Sequence, residues 1–303
     1  MKILLFGAQG QVGFELQRSL AGLGQVIVCN RSMIDLNDLN KLETFIRNTQ
    51  PNIIINAAAY TQVDKAEQDE AQAEKINAQA PFVMAKIAQE LNSWMIHYST
   101  DYIFNGLQTK PYIETDLIDP LNVYGKTKAQ GEELIRSSGA RHLILRTSWV
   151  YAAHGHNFAR TILNLAQQRG SLNIVGDQIG VPTSAELIAD ITALIIYRLQ
   201  WDNAFKDFKG DTFNLTAQGS TSWYGFASYL IMHAQQLGMP LKVTPDKITA
   251  IATAQYPTPA KRPANSLLNT EKISKCFNLQ LPPWQWHADR FLSQYYLQRG
   301  ISA

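Results

Sequence analysis

The stretch that decides the fold is Ile3-Leu4-Leu5-Phe6-Gly7-Ala8-Gln9-Gly10-Gln11-Val12-Gly13. Its four consecutive apolar residues are typical of a buried parallel strand, and the apolar residues that follow the glycines recur at helical spacing. Glycines permit a tight turn, and the helix N-terminus offers free N–H groups to a pyrophosphate. The stretch therefore predicts a dinucleotide-binding unit, although its Gly-x-x-Gly-x-x-Gly spacing differs from the standard Gly-x-Gly-x-x-Gly.

The strand–helix pattern of this stretch continues through the first 150 residues. Apolar strands are predicted at 25–29, 52–58, 94–98 and 142–147, and helices at 38–48, at 71–91 and from Tyr124 onward. Five such units predict an α/β fold, a Rossmann-like doubly wound parallel sheet, over 1–150. The irregular pattern over 151–303 predicts a smaller, mainly substrate-binding C-terminal domain. Its elements at about 184–216 are expected to return to the first sheet.

The end of the second strand bears on the choice of cofactor. A carboxylate at this position would bind the adenosine ribose of the unphosphorylated cofactor. The chain has Asn30-Arg31 instead, and Arg31 could pair with a 2′-phosphate or be an ordinary surface charge. We expect NADPH, with NADH left open, and we expect Asp35 and Leu36 to border the adenine.

Two further strands end in residues suited to a ligand. Ala59-Tyr60-Thr61 follows the third strand, and Thr100-Asp101-Tyr102 follows the fourth. Open parallel sheets bind ligands at the carboxyl ends of their strands. The hydroxyl groups here could bind a substrate oxygen, or they could only cap a helix or turn.

Tyr124 and Lys128 are four residues apart on a predicted helix, so both can reach one pocket. Reduction of a ketone needs a proton from the protein, and a free phenol holds its proton too tightly at neutral pH. A nearby ammonium lowers the pKa of the phenol, which makes the two residues together a usable general acid.

Composition narrows the classes of protein to consider. Among 303 residues, 46% are hydrophobic and 17% charged, and the net charge of +2 gives no preference for nucleic acid or membrane. No stretch approaches the ~18 consecutive apolar residues of a membrane span. The two cysteines lie far apart and lack metal-ligand spacing. We expect reduced thiols in a cytoplasmic enzyme.

Taken together, these motifs make the chain similar to extended short-chain dehydrogenases/reductases and, within that superfamily, to the dTDP-4-dehydrorhamnose reductase family. The resemblance runs nearly end to end. It is carried by the glycine loop, by Tyr124-Gly125-Lys126-Thr127-Lys128 and by Arg146-Thr147-Ser148-Trp149-Val150-Tyr151. The most specific marks are Ala59-Tyr60-Thr61-Gln62-Val63-Asp64-Lys65-Ala66-Glu67 and Arg262-Pro263-Ala264-Asn265-Ser266.

The resemblance implies reduction of the C4 ketone of dTDP-4-dehydro-L-rhamnose, the last step of dTDP-L-rhamnose synthesis. It makes Tyr124 the general acid, Lys128 its partner and the holder of the nicotinamide ribose, and Thr100 the binder of the reacting oxygen. The implied cofactor-binding residues are Gly7, Gly10, Gln11, Val12, Gly13, Ala59, Tyr60 and Thr61. The implied substrate-binding residues are Thr100, Asp101, Tyr102, Trp149 and Arg262, the last for the diphosphate.

Several points stay open. Tyr60 stands where a histidine is common in the family, and Glu15 and Glu186 stand where some members hold Mg²⁺ at a homodimer interface. An epimerase or dehydratase of another nucleotide sugar would share this fold, and Asp101 stands where dehydratases carry an acidic residue. A non-catalytic regulatory subunit is a third alternative, although such a subunit has no need of a matched tyrosine and lysine.

Overall fold

The computed structural model describes residues 1–297. The strands are β1 (Lys2–Phe6), β2 (Gln25–Cys29), β3 (Ile53–Asn56), β4 (Trp94–Thr100), β5 (Arg141–Thr147), β6 (Val150–Tyr151), β7 (Leu172–Val175), β8 (Ile179–Gly180), β9 (Thr183–Ser184), β10 (Gly210–Asn214), β11 (Thr221–Ser222) and β12 (Ile248–Ile251). The helices are α1 (Gln11–Leu20), α2 (Leu39–Thr49), α3 (Val63–Ala66), α4 (Glu70–Glu74), α5 (Ala80–Glu90), α6 (Val123–Ser137), α7 (Phe158–Gln168), α8 (Ala185–Trp201), α9 (Trp223–Gln236), α10 (Glu271–Phe277) and α11 (Trp284–Leu297).

Six parallel strands form the central sheet in the order β2-β1-β3-β4-β5-β10. The strand order reverses between β1 and β3, and a doubly wound sheet binds its ligand at the carboxyl ends of the strands beside such a reversal. The predicted Rossmann-like doubly wound α/β fold is therefore confirmed. The other strands form three two-stranded pairs: β6 with β9, β7 with β12, and β8 with β11.

Side chains of β1 alternate between two buried layers. Ile3 and Leu5 pack with residues of α1 and α8, whereas Leu4 and Phe6 pack with residues of α2 and α5. A parallel sheet covered on both faces needs apolar residues at every position. This double burial explains why the first strand of the sequence is an unbroken apolar run.

The second half of the chain contributes to the same sheet. β10 pairs with β5 along its whole length, from Gly210 opposite His142 to Asn214 opposite Arg146. α8 packs against α1, and a single buried cluster contains residues of both helices. The division into domains at residue 150 stays a prediction. None of the helices within residues 1–297 has the length and apolar character needed to cross a membrane.

The helix predicted at 71–91 extends over residues 70–90, but it is interrupted by a π-helical turn, Lys75–Gln79, between α4 and α5. A π turn widens the helix locally and is frequent at functional sites. The turn carries the buried residue Asn77. The apolar periodicity gave no sign of this interruption.

Helix α6 carries both Tyr124 and Lys128. A side-chain cap holds its N-terminus, and an ion pair with β5 holds it further along the chain. At its N-terminus the Asn122 side chain accepts a hydrogen bond from the Gly125 N–H at 2.8 Å. Further along, Glu132 accepts two hydrogen bonds from Arg146 of β5, at 3.0 and 2.7 Å. Both side chains are almost completely buried, with 0% and 2% exposed.

Replacement of Glu132 by Gln should lower the free energy of unfolding by about 3–5 kcal/mol, because it leaves the buried Arg146 charge without a counter-charge. Urea denaturation followed by circular dichroism measures this loss. Glu133→Gln is the matched control, since Glu133 is 71% exposed and its loss should change stability by less than about 0.5 kcal/mol. Equal effects of the two variants would contradict the stabilising role of the buried pair.

Candidate active site

A cavity of about 560 Å³ lies at the carboxyl ends of β1, β2 and β3. Most of the predicted cofactor-binding residues line it, namely Gly7, Gly10, Asn30, Arg31, Asp35, Leu36, Ala59, Tyr60 and Thr61. Gln11, Val12 and Gly13 form the first turn of α1 beside it and are not among its lining residues. The cavity therefore lies where the strand order predicts a ligand.

The glycine loop is shaped by close backbone contacts. Gly7 has a φ of +76°, and a Cβ on Gly13 would lie 2.1 Å from the Gly7 carbonyl oxygen. Gly10 caps α1 without a side-chain hydrogen bond, so no capping side chain competes for the N–H groups of the first helical turn. These groups and the positive end of the helix dipole suit a pyrophosphate.

Replacement of Gly13 by Ala should therefore weaken NADPH binding at least about tenfold, because the new methyl group displaces the Gly7 backbone that the pyrophosphate approaches. Intrinsic fluorescence titration with NADPH measures the affinity. Gly22→Ala serves as the control, since a Cβ there meets nothing within 4 Å. Unaltered affinity in a folded Gly13→Ala variant would show that this loop does not hold the cofactor.

Asn30, Arg31 and Asp35 surround the end of the cavity nearest β2. The Asn30 side chain accepts a hydrogen bond from the Met33 N–H at 3.0 Å and so shapes the turn. The Arg31 side chain is 82% exposed, and its Nε lies 3.9 Å from an Asp35 carboxylate oxygen. The guanidinium of Arg31 thus forms only one long ion pair with the protein.

Thr100 and Tyr124 meet where β4 ends and α6 begins. The Thr100 hydroxyl accepts a hydrogen bond from the Tyr102 N–H at 3.2 Å, and the rings of Tyr102 and Tyr124 pack edge to face with centroids 5.6 Å apart. Burial raises the pKa of Tyr124 to about 12, although hydrogen bonding with Thr100 opposes this shift. Tyr124 is therefore a neutral phenol that can donate a proton.

The sequence predicted that Lys128 and Tyr124 can reach one pocket, but the Lys128 amine contacts residues of β4 instead. Its Nζ donates a hydrogen bond to the Tyr98 carbonyl at 2.6 Å and lies 3.0 Å from Nε2 of His97. Burial lowers the pKa of Lys128 to about 7. The expected lowering of the Tyr124 pKa by Lys128 is absent from this structure: desolvation, not the ammonium, dominates the pKa of the phenol.

Asp101 is buried beside Thr100, which donates a hydrogen bond to its Oδ1 at 3.2 Å. Burial raises the pKa of Asp101 to about 7. Hydrogen bonding with Ser266 and with Thr100 opposes this shift. Asp101 and Thr100 together place polar atoms next to Tyr124.

Trp149 and Arg262 come from distant parts of the chain. Trp149 adopts a positive φ of 47° and stacks on Trp223, with ring centroids 3.5 Å apart. Arg262 donates a hydrogen bond to Asp64 at 2.8 Å. The Asn122 side chain, next to the start of α6, donates to the Lys261 carbonyl at 2.8 Å. The Arg262 segment is therefore tied to the helix that carries Tyr124.

Sequence reasoning assigned no role to Asn77, Asn56, His97 or Asp64. Asn77 accepts a hydrogen bond from the Tyr60 N–H at 2.8 Å and donates one to Thr127 at 3.1 Å. It thereby joins the cavity wall to α6. Asn56 and His97 could have been noticed as polar residues inside otherwise apolar strands, whereas nothing in the sequence marks the π turn of Asn77.

The structure gives no support for the Mg²⁺ site that the resemblance allowed at Glu15 and Glu186. Glu186 accepts two hydrogen bonds from Arg290, and Glu15 pairs with Arg18 at 3.3 Å. A cation of the chain therefore already neutralises each carboxylate. Within the described part of the chain, no group of three His, Cys, Asp or Glu side chains is placed to hold a metal ion.

Comparison with known proteins agrees with this geometry. The profile of the RmlD substrate binding domain family matches residues 1–297. The dTDP-4-dehydrorhamnose reductase of Escherichia coli K12 is 47% identical, over 99% of this chain and 100% of the relative. The chain belongs to the dTDP-4-dehydrorhamnose reductase family. The resemblance predicted from the motifs is thus confirmed.

Solved structures of this family have the same fold. A dTDP-4-dehydrorhamnose reductase from Clostridium acetobutylicum superposes with a TM-score of 0.86 at 33% identity, covering 98% of this chain and 100% of the other. The Bacillus anthracis reductase, solved in complex with NADP, gives 0.84 at 28% identity, covering 98% and 99%. A nicotinamide cofactor therefore occurs in this family.

Proposed function

We propose that the chain reduces the C4 ketone of dTDP-4-dehydro-L-rhamnose to dTDP-L-rhamnose, with NADPH as the preferred hydride donor and NADH as an alternative. The observation that carries the proposal is the hydrogen bond between Thr100 and Tyr124 where β4 ends and α6 begins, with Lys128 one turn further along α6. Membership of the reductase family supports the choice of substrate.

The nicotinamide cofactor supplies the hydride, and the protein supplies the proton. Tyr124 is protonated at neutral pH because its pKa is about 12, so its hydroxyl can donate to the ketone oxygen as negative charge develops there. The Thr100 hydroxyl, next to it, donates to Asp101 at 3.2 Å and can donate a second hydrogen bond to the ketone oxygen only after it turns away from that carboxylate. The phenolate left behind needs a positive partner, and Lys128 is the nearest candidate on the same helix face.

Arg262 and Trp149 are the proposed contacts for the rest of the sugar nucleotide. A guanidinium binds a diphosphate through paired charge-assisted hydrogen bonds. One terminal nitrogen of Arg262 pairs with Asp64 at 2.8 Å, and the other donates to the Ala260 carbonyl at 3.2 Å. The remaining guanidinium N–H groups can bind phosphate. The Trp149–Trp223 stack offers a flat apolar surface close to residues of β8.

Replacement of Tyr124 by Phe should lower kcat by about 100- to 10,000-fold, because the general acid is lost while the ring remains. The rate of NADPH oxidation at 340 nm with enzymatically prepared dTDP-4-dehydro-L-rhamnose measures this. NADPH affinity should stay near that of the wild type. Full turnover in the variant would refute the role of Tyr124. No oxidation by the wild type would favour another nucleotide sugar or a regulatory role.

Replacement of Arg31 by Ser should raise the KM for NADPH about tenfold and leave the KM for NADH unchanged, because only NADPH carries the 2′-phosphate. Steady-state kinetics with each cofactor measures the change. Arg169→Ser removes an exposed arginine outside the cavity and should alter neither value. A parallel rise for both cofactors would argue against recognition of the 2′-phosphate.

The cellular setting and the assembly remain proposals. Cys29 and Cys276 are both free thiols, which supports a cytoplasmic location because disulfides are rare there. The homodimer that the resemblance implies is also proposed, and Glu15 and Glu186 are each paired with an arginine in the described structure, which gives no support to Mg²⁺ between the two copies.

A further inference from the structure

A line of buried polar groups connects the end of β3 to Lys128. The Ala58 N–H donates to Oδ1 of Asn56 at 3.1 Å, and Nδ2 of Asn56 lies 3.1 Å from Nδ1 of His97. Nε2 of His97 then lies 3.0 Å from Nζ of Lys128. Asn56, His97 and Lys128 are each at most 1% exposed, so these polar groups must form their hydrogen bonds with one another and not with bulk water.

The chemistry of these groups fixes where the protons are. A backbone N–H can only donate, so it orients the Asn56 amide with its oxygen toward Ala58 and its NH₂ toward His97. An amide NH₂ can only donate, so Nδ1 of His97 must accept and carries no proton. Because burial lowers the pKa of His97 well below its usual range, the ring is neutral, and its single proton must be on Nε2.

The Nε2–H of His97 therefore points at the Lys128 nitrogen. A protonated ammonium has no lone pair and cannot accept this hydrogen bond, whereas a neutral amine can. The neutral amine keeps two N–H groups, one of which satisfies the Tyr98 carbonyl at 2.6 Å. Every hydrogen bond in this network thus has one donor and one acceptor if Lys128 is a neutral amine that points toward His97.

We propose that His97, oriented by Asn56, is a positioning residue that holds Lys128 as a neutral amine away from Tyr124 until the reaction requires the ammonium. The proposal rests on the proposed function, in which Lys128 stabilises the Tyr124 phenolate. To become an ammonium, the Lys128 amine takes up one proton from water, and for this the histidine either loses the contact or moves its own proton from Nε2 to Nδ1. The second route needs the Asn56 amide to turn over, against the Ala58 N–H.

Other charged and titratable groups surround Lys128 in the described structure. Tyr124 and Glu132 lie on its own helix, and Glu132 is the group that raises the pKa of Lys128. Glu132 is in turn held by Arg146 on β5 and by Arg136 at 3.0 Å. Asp101 lies beside Tyr124. Since Glu132 is already neutralised, the contact with His97 on β4 is the adjustable one.

The pH dependence follows from the sign of these effects. Lys128 is an ammonium below its pKa of about 7 and a neutral amine above it. If the reaction needs the ammonium, kcat/KM for NADPH falls as the pH rises through about 7. We call this fall of kcat/KM the alkaline limb of the pH profile. A change that makes Nε2 of His97 an acceptor stabilises the ammonium and moves the alkaline limb to higher pH.

The decisive variant is Asn56→Asp. It has the same shape and keeps the acceptor for the Ala58 N–H, but it replaces the NH₂ donor by a carboxylate oxygen that accepts from Nδ1–H. ¹⁵N NMR of histidine-labelled protein reads the ring tautomer directly, and His97→Gln identifies the signal among the 6 histidines. We expect a proton on Nε2 in the wild type and on Nδ1 in Asn56→Asp.

Kinetics of the same proteins completes the test. In Asn56→Asp the alkaline limb of kcat/KM should move up by about one pH unit or more. In the control His142→Gln it should stay in place, since His142 of the neighbouring strand β5 makes no hydrogen bond to Lys128 and its Nδ1 is bonded to the Ala140 carbonyl. A merely structural role would lower stability without changing the tautomer of His97.

Two results would overturn the proposal. One is a wild-type His97 ring that is charged or protonated on Nδ1, and the other is an unmoved limb in a folded Asn56→Asp variant. Failure of the proposed function is a separate outcome, because the wild type would then oxidise no NADPH with the sugar nucleotide. The tautomer of His97 would still be measured in that sample.

Discussion

The buried ion pair between Glu132 and Arg146 is the interaction on which the site depends. Tyr124, Lys128 and Glu132 are successive residues four apart on α6, so they share one inner face of the helix. Arg146 lies on β5 directly beside the end of β4, opposite Ser99. By holding Glu132, Arg146 sets the rotation of α6 about its axis and thereby directs Tyr124 and Lys128 toward the strand ends.

The same burial that makes this pair strong also sets the acid–base state of the site. Desolvation disfavours the charged form of every group, so it raises the pKa of Tyr124 and of Asp101 and lowers that of Lys128. The structure therefore keeps a protonated phenol one helical turn from an amine whose pKa of about 7 lies close to neutral pH. Catalysis needs Lys128 to be charged when a negative oxygen develops on Tyr124. The hydrogen bonds of Lys128, which set its protonation state, are therefore as important as its position.

The sequence predicted the sheet and most of the cofactor cavity because these depend on local signals. Apolar runs, glycine spacing and the residues that directly follow strands mark them without knowledge of packing. The direction of the Lys128 side chain could not be predicted in this way, because it depends on His97 and the Tyr98 carbonyl across a helix–strand contact. The π turn of Asn77 and the Asp64–Arg262 pair, 198 residues apart along the chain, likewise arise only in the folded protein.

The central claim is that hydride from the cofactor reaches C4 of the sugar while the protein supplies the proton. The most direct measurement is ¹H NMR of the product formed with dTDP-4-dehydro-L-rhamnose and NADPH that carries deuterium at the transferred position. The account predicts dTDP-L-rhamnose with deuterium at C4 only. Unlabelled product, label at another carbon, or a sugar nucleotide epimerised without net reduction would contradict it.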